Sequence, residues 1–146
     1  MYKRQDLCRD PNGSIPSFPG TPKSAAGLIL ASDFYDPIET WKKRLGALAA
    51  KCPEGVLLAI SDPIEIDFPF EGRVKFSRPG EKLNKILGRA ETVQDDYKKV
   101  FTAHREAIKQ LAAKIGWRIV EHRTGQPIVQ TAGRMKIALE TLGAKL

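Results

Sequence analysis

Long apolar runs are absent from this chain. No stretch of the 146 residues approaches about 18 uninterrupted apolar side chains, so no helix is expected to span a membrane. The first 30 residues lack the basic-then-apolar order of a secretory leader. Cysteine is scarce. Cys8 and Cys52 have no metal-ligand spacing and no histidines nearby, which predicts two reduced thiols in a cytoplasmic protein, not a disulfide or metal site. Also missing are a Gly-x-x-x-x-Gly-Lys-Ser/Thr phosphate loop, a Gly-x-Gly-x-x-Gly dinucleotide fingerprint and a Gly-x-Ser-x-Gly nucleophile elbow. Nothing suggests a nucleophilic Cys–His pair, and the expectation is a non-enzymatic protein.

Two apolar segments stand out instead. Leu28-Ile29-Leu30-Ala31 and Leu57-Leu58-Ala59-Ile60 each stop at Ser-Asp, one strand–helix unit apart. Nearly continuous apolar runs suit strands buried on both faces of a parallel sheet. Ligand sites in such sheets lie beyond the carboxyl ends of the strands, so Ser32, Asp33 and Asp62 are predicted to share one edge.

A strand over 27–32 leads through Asp36-Pro37-Ile38-Glu39 into a helix ending near Lys51. Asp36 is read as its cap and Pro37 as its first residue. A second strand covers 56–61. Ile64, Ile66, Phe68, Val74 and Phe76 then alternate with polar residues, which predicts a small hairpin or extended arm turning near Glu71-Gly72. A long helix follows over 92–115, its apolar stripe carrying His104 as a packed boundary residue, with Gly116 just past its end. Trp117–Glu121 forms a third strand, followed by His122-Arg123-Thr124 on the same edge and a last helix over 128–142. Right-handed crossovers place the first two helices on one face of the sheet and only the last on the other. Apolar surface is then left over, which predicts a missing half-domain or a partner against the first strand.

The edge residues have plain and functional readings. Asp33, with the Ser32 hydroxyl, can hold a hard cation such as Mg²⁺ or cap its own turn. Asp62, before Pro63, has the same choice. His122 can be a base or ligand and Arg123 an anion holder, or both can pin a loop. A hydrolase built on Asp33, Asp62 and His122 lacks a clear nucleophile or a full metal set.

The net charge is +7, with a local excess at Arg73, Lys75, Arg78, Lys82, Lys85 and Arg89 opposed by Glu81. This run is read as a solvated face; the alternative is a patch that binds nucleic acid or another acidic partner. No aromatics interleave with it as a base-stacking platform requires, so nucleic acid is the less favoured partner. Residues 1–26, rich in Pro, Gly and Ser, read as a disordered or non-native linker. Met1-Tyr2-Lys3-Arg4-Gln5 resembles the translated end of a sequencing adapter, which predicts a non-native start and a fragment.

Several of these segments together resemble a bacterial family. They are Leu30-Ala31-Ser32-Asp33-Phe34-Tyr35-Asp36-Pro37, Ser61-Asp62-Pro63-Ile64-Glu65-Ile66-Asp67-Phe68-Pro69-Phe70-Glu71-Gly72, Ala103-His104-Arg105, Gly116-Trp117 and His122-Arg123-Thr124. They look like the C-terminal part of the "domain of unknown function 58" family, which carries a von Willebrand factor A-like domain. The resemblance covers about residues 27–142, and Asp-Pro-x-Glu-x-x-Phe-Pro-Phe-x-Gly is its most specific part. It implies an α/β, three-layer, mostly parallel sheet of the doubly wound, von Willebrand factor A type. Residues 27–146 would be its C-terminal half: three parallel strands, three helices and one small hairpin arm. In the family a metal-ion-dependent adhesion site lies on the carboxyl edge, and Asp33 matches a later aspartate of that site. The site's main motif, Asp-x-Ser-x-Ser, does not occur here, and the aspartate that commonly follows His-Arg-Thr is Gly125. The site is therefore incomplete: Mg²⁺ is expected in a full-length parent and no cofactor in this fragment. The resemblance further implies a protein-interaction module working with a MoxR-type AAA+ ATPase in assembly or chaperone-like work.

Overall fold

The computed structural model describes residues 27–77 and 84–143. The expectations for residues 1–26, Cys8 included, lie outside them. The chain is α/β. Strand β1 (Leu28–Ser32) leads to helix α1 (Ile38–Ala49), strand β2 (Gly55–Ser61) and a one-turn helix α2 (Pro63–Asp67). A hairpin of β3 (Val74–Ser77) and β4 (Asn84–Leu87) follows. A 3-10 turn (Ala90–Val93) runs into α3 (Gln94–Lys114), and β5 (Arg118–Arg123) and α4 (Ile128–Gly143) complete the order. Among the described residues no helix is long and apolar enough to cross a membrane.

The main sheet has the order β1-β2-β5 and is parallel throughout, with Ser32 opposite Ala59 and Ser61 opposite Arg123. Both crossover helices pack on one face. There Trp41 and Leu45 of α1 and Ile108, Leu111 and Ala112 of α3 close over Leu57 and Ala59. Helix α4 covers the other face through Leu142, Met135 and Ala138 on Val56, Leu58 and Val120. It packs on β2 and β5, and Ile29 of β1 stays 49% exposed. Among the described residues the outer edge of β1 is unpaired, and exposed apolar side chains lie there at Ile29 and also on the helices, at Val100 of α3 and Ile128, Val129 and Ile137 of α4.

The ends of α3 follow from its sequence. Gly116 takes a φ of +79°, which costs glycine nothing. This lets Gly116 N donate to Ala113 O at 3.1 Å and Trp117 N to Ala112 O at 2.9 Å, satisfying the last carbonyls of the helix.

Three expectations need correction. Residues 63–67 form a helical turn, not an alternating strand: the Asp62 side chain and Glu65 make a reciprocal capping box around Pro63. The hairpin is β3 against β4, with Val74 opposite Leu87 and Ser77 opposite Asn84, so Glu71-Gly72 precedes its first strand and is not its turn. Helix α1 is capped by Pro37 without a side-chain hydrogen bond, and the Pro37 carbonyl accepts from Thr40 N at 2.9 Å. The fixed φ of proline sets the first turn there, and the carboxylate of Asp36 takes no capping role.

Candidate functional site at the carboxyl edge of the sheet

Because all three strands run the same way, Asp33, Asp62 and His122–Arg123 stand on one edge, as their positions predicted. Each is held by its own local chemistry. Asp33 Oδ1 accepts from Tyr35 N at 3.2 Å and from Ser32 Oγ at 3.4 Å, while Ser32 Oγ accepts from Phe34 N at 3.2 Å. These are turns made by a short polar side chain on its own backbone. Between them Phe34 is fully buried with a φ of 58°, a left-handed conformation that a bulky side chain adopts only when its surroundings impose it. Its ring packs on Trp41 at 4.6 Å, and its carbonyl accepts from His104 Nε2 at 2.7 Å. His104 is thus the packed, hydrogen-bonded boundary residue that the stripe of α3 predicted.

Asp62 does more than cap α2. Oδ1 accepts from Ile64 N at 2.9 Å and Oδ2 from Thr124 Oγ1 at 2.8 Å, and Thr124 N donates back to Ser61 O at 2.9 Å. The backbone bond from Ile64 and then the Thr124 hydroxyl hold its carboxyl below the usual range. Arg123 pairs with Asp67 at 3.5 Å. The carboxyl ends of β2 and β5 and the segments after them are therefore tied by three contacts. His122 faces the other side of the sheet, with Nδ1 2.7 Å from Oγ1 of buried Thr131 on α4.

Asp-Pro-x-Glu-x-x-Phe-Pro-Phe-x-Gly has a local physical meaning. Asp62 is the cap, Pro63 the first helical residue and Glu65 its capping partner. Phe68 closes the turn in the left-handed region (φ 45°), and Gln94 Nε2 donates to its carbonyl at 2.9 Å. The Phe68 ring is buried against Tyr97 at 4.5 Å.

A residue outside the predicted set organises this edge. Arg105 of α3 is 7% exposed and lies under the loops after β1 and β2. Its Nη2 donates to Ser61 Oγ and, at 3.3 Å, to Ile60 O. The guanidinium sits 5.5 Å over the Tyr35 ring and 5.4 Å over that of Phe101, a favourable stacking of cation on aromatic faces. Tyr35 Oη donates to Glu65 Oε2 at 2.5 Å, and the same oxygen accepts from Asp62 N at 2.9 Å. The signal was present in sequence: an arginine set among Phe101, His104 and Ile108 falls on the face that α3 buries.

Partial burial, and then Glu65, hold the Tyr35 phenol well above its ordinary value of 10.0; burial, and then Glu65, also raise Tyr97. The folded state keeps these protons where the unfolded chain releases them, so the stabilisation is complete below pH 10 and fades above it. Urea midpoints are expected to hold from pH 8 to about pH 10 and then to fall, less steeply in Tyr35→Phe. Equal slopes in the two proteins would remove Tyr35 from that account.

Among the described residues no three His, Cys, Asp or Glu side chains group as a metal site, at Asp33 or elsewhere. Of the basic run, Arg73, Lys75 and Arg89 are exposed and Lys85 lies on β4, whereas Arg78 and Lys82 fall outside the described residues. The run lies within an excursion closed at its base, where Ala90 N donates to Gly72 O and Gly72 N to Glu91 Oε2, both at 2.8 Å.

The chain is similar to an uncharacterized protein, MAV169, of Mycobacterium avium: 28% identical over 104 residues, which cover 70% of this chain and 60% of that protein. The chain thus spans less than two thirds of the length of that relative. No family model matches the chain, and no solved structure matches it significantly.

Proposed function

We propose that this chain is a non-enzymatic protein-interaction module, the C-terminal half of a metal-dependent, von Willebrand factor A-like domain of the "domain of unknown function 58" type. The observation that carries the proposal is the state of β1. Among the described residues it is a parallel strand paired on one side only, with Ile29 half exposed, and it delivers Asp33 to the carboxyl edge next to that open side. Strands added there would cover the apolar surface and bring further oxygen ligands to Asp33. Mg²⁺ requires about six oxygens in near-octahedral geometry, and one carboxylate engaged in a turn supplies too few. With its remaining half, the domain would use the ion to grip an acidic side chain of a partner. The resemblance alone nominates a MoxR-type AAA+ ATPase as that partner.

Calorimetric titration of the chain with Mg²⁺ is expected to show no tight, stoichiometric binding. Joined to the segment its genome encodes upstream, the chain should gain 1:1 Mg²⁺ binding that Asp33→Ala removes. Tight binding by the chain alone, or binding in the joined protein that survives Asp33→Ala, overturns the proposal.

A further inference from the structure

Beyond the rim carrying Asp33, a cavity of about 310 Å³ opens where the end of β5 meets α3 and α4. Its wall includes Ser61, Arg105, Lys109, His122, Arg123 and Arg134, contributed by four different elements. Carboxylates are present too: Glu106 and Glu121 each lie 3.5 Å from Lys109 and answer its charge. Arg123 shares its charge with Asp67 at 3.5 Å, at a pair that is well solvated. Among the described residues no carboxylate pairs with Arg105 or Arg134. Arg134 Nη2 makes one long bond, 3.5 Å, to Thr131 Oγ1.

Arg105 is the informative member. More than nine-tenths of it is buried, and Nη2 is used on Ser61 and Ile60, yet the buried Nη1 has no hydrogen-bond partner. A buried guanidinium nitrogen without an acceptor is costly, and an arginine in a cavity wall is suited to a ligand oxygen. Guanidinium groups contributed to this wall by α3, β5 and α4 suit an oxyanion, and three of them suit the charge of a phosphate dianion better than that of one carboxylate. The volume is at the lower end for small-molecule sites, enough for a phosphate carrying a small organic group.

We infer that this cavity binds a phosphate-class dianion, either free phosphate or the phosphoryl end of a small phosphomonoester, with Arg105 as its buried anchor and Arg123 and Arg134 as its outer clamps. The site stands apart from the metal proposal, since Asp33 is not in its wall.

The test is calorimetric titration of the chain with inorganic phosphate and, separately, with glycerol phosphate, against chloride at matched ionic strength. Saturable 1:1 binding is expected with phosphate and not with chloride. The variants Arg123→Gln and Arg134→Gln should each weaken it about tenfold, the ratio lost with one charge-assisted hydrogen bond. Arg105→Lys keeps the charge and loses the fork, so it should weaken binding at least as much; a thermal melt of each variant first establishes that it is folded. Tighter binding of glycerol phosphate than of phosphate identifies a phosphomonoester, and equal binding identifies the free ion. Heats no larger than those of chloride, or wild-type affinity in both outer variants, overturn the inference.

Discussion

Placing alanine at position 55 is expected to destabilise the protein by about 1–3 kcal/mol, and placing valine there to prevent folding, because a filled core cannot admit extra atoms without moving backbone. Gly55 opens β2 beside Leu28, and the indole of Trp117 occupies the space a β-carbon there would need. A β-carbon would meet three ring atoms of Trp117 at 2.4, 2.5 and 2.6 Å, well inside contact distance. The ring has little freedom to withdraw. Trp117 is 3% exposed, and its Nε1 donates to the Cys52 carbonyl at 3.1 Å, so swinging it away breaks a buried hydrogen bond. Urea unfolding followed by tryptophan fluorescence reads the effect. The two positions should also couple: the cost of Gly55→Ala should shrink in a Trp117→Leu background. An unchanged midpoint in Gly55→Ala would show that the indole yields, and that the close approach is not what requires glycine.

Removing the Phe34 ring is expected to cost about 3–5 kcal/mol, a large part of the 5–15 kcal/mol that holds a domain together. The ring is fully buried against Trp41, and its backbone links the end of β1 to His104 of α3. The same residue carries a φ of 58°. Holding a residue with a β-carbon in that region costs about 1–2 kcal/mol, a penalty that glycine escapes. Phe34→Gly should therefore be no less stable than Phe34→Ala, reversing the usual order in which glycine is the worse replacement. If Phe34→Gly is clearly the weaker of the two, the left-handed turn is not strained. Because Phe34 stands between Asp33 and Tyr35, either change should also loosen the Asp33 turn.

The parts of the fold legible in sequence were those where one physical requirement dominates. Leu57–Ile60 is an interior strand, as a short run apolar on both faces requires, whereas Leu28–Ala31, with the same pattern, lies at the edge of the sheet and leaves Ile29 half exposed. Gly116 had to follow a helix, because its place invites a positive φ. The segment after Asp62 departs from its strand-like pattern for a complementary reason. One helical turn and a short strand place Ile64 and Ile66 almost equally well, and over five residues periodicity does not separate them. The local signal that decides is the Asp62–Pro63–Glu65 cap, which acts through backbone amides and not through hydropathy. The stripe of α3 places Arg105 on the buried face of the helix and says no more about it. Its role depends on contacts with Ser61 and Tyr35, 44 and 70 residues away in the chain, which no local pattern reports. Asp33, Asp62 and His122 were placed on the right edge, but what each one touches was not readable, since turn, cap and ligand call on the same side-chain types.

The clasp between Gly72 and the Ala90–Glu91 backbone and side chain has a consequence for how such a protein can diversify. An excursion whose two ends already meet makes small entropic demands on whatever lies between them. The loop can lengthen, contract or change its charge while the sheet and its two crossovers stay as they are. A lineage that needs a new partner can rewrite this appendage first, and the basic stretch from Arg73 to Arg89 is one such version, carried on a scaffold indifferent to its content.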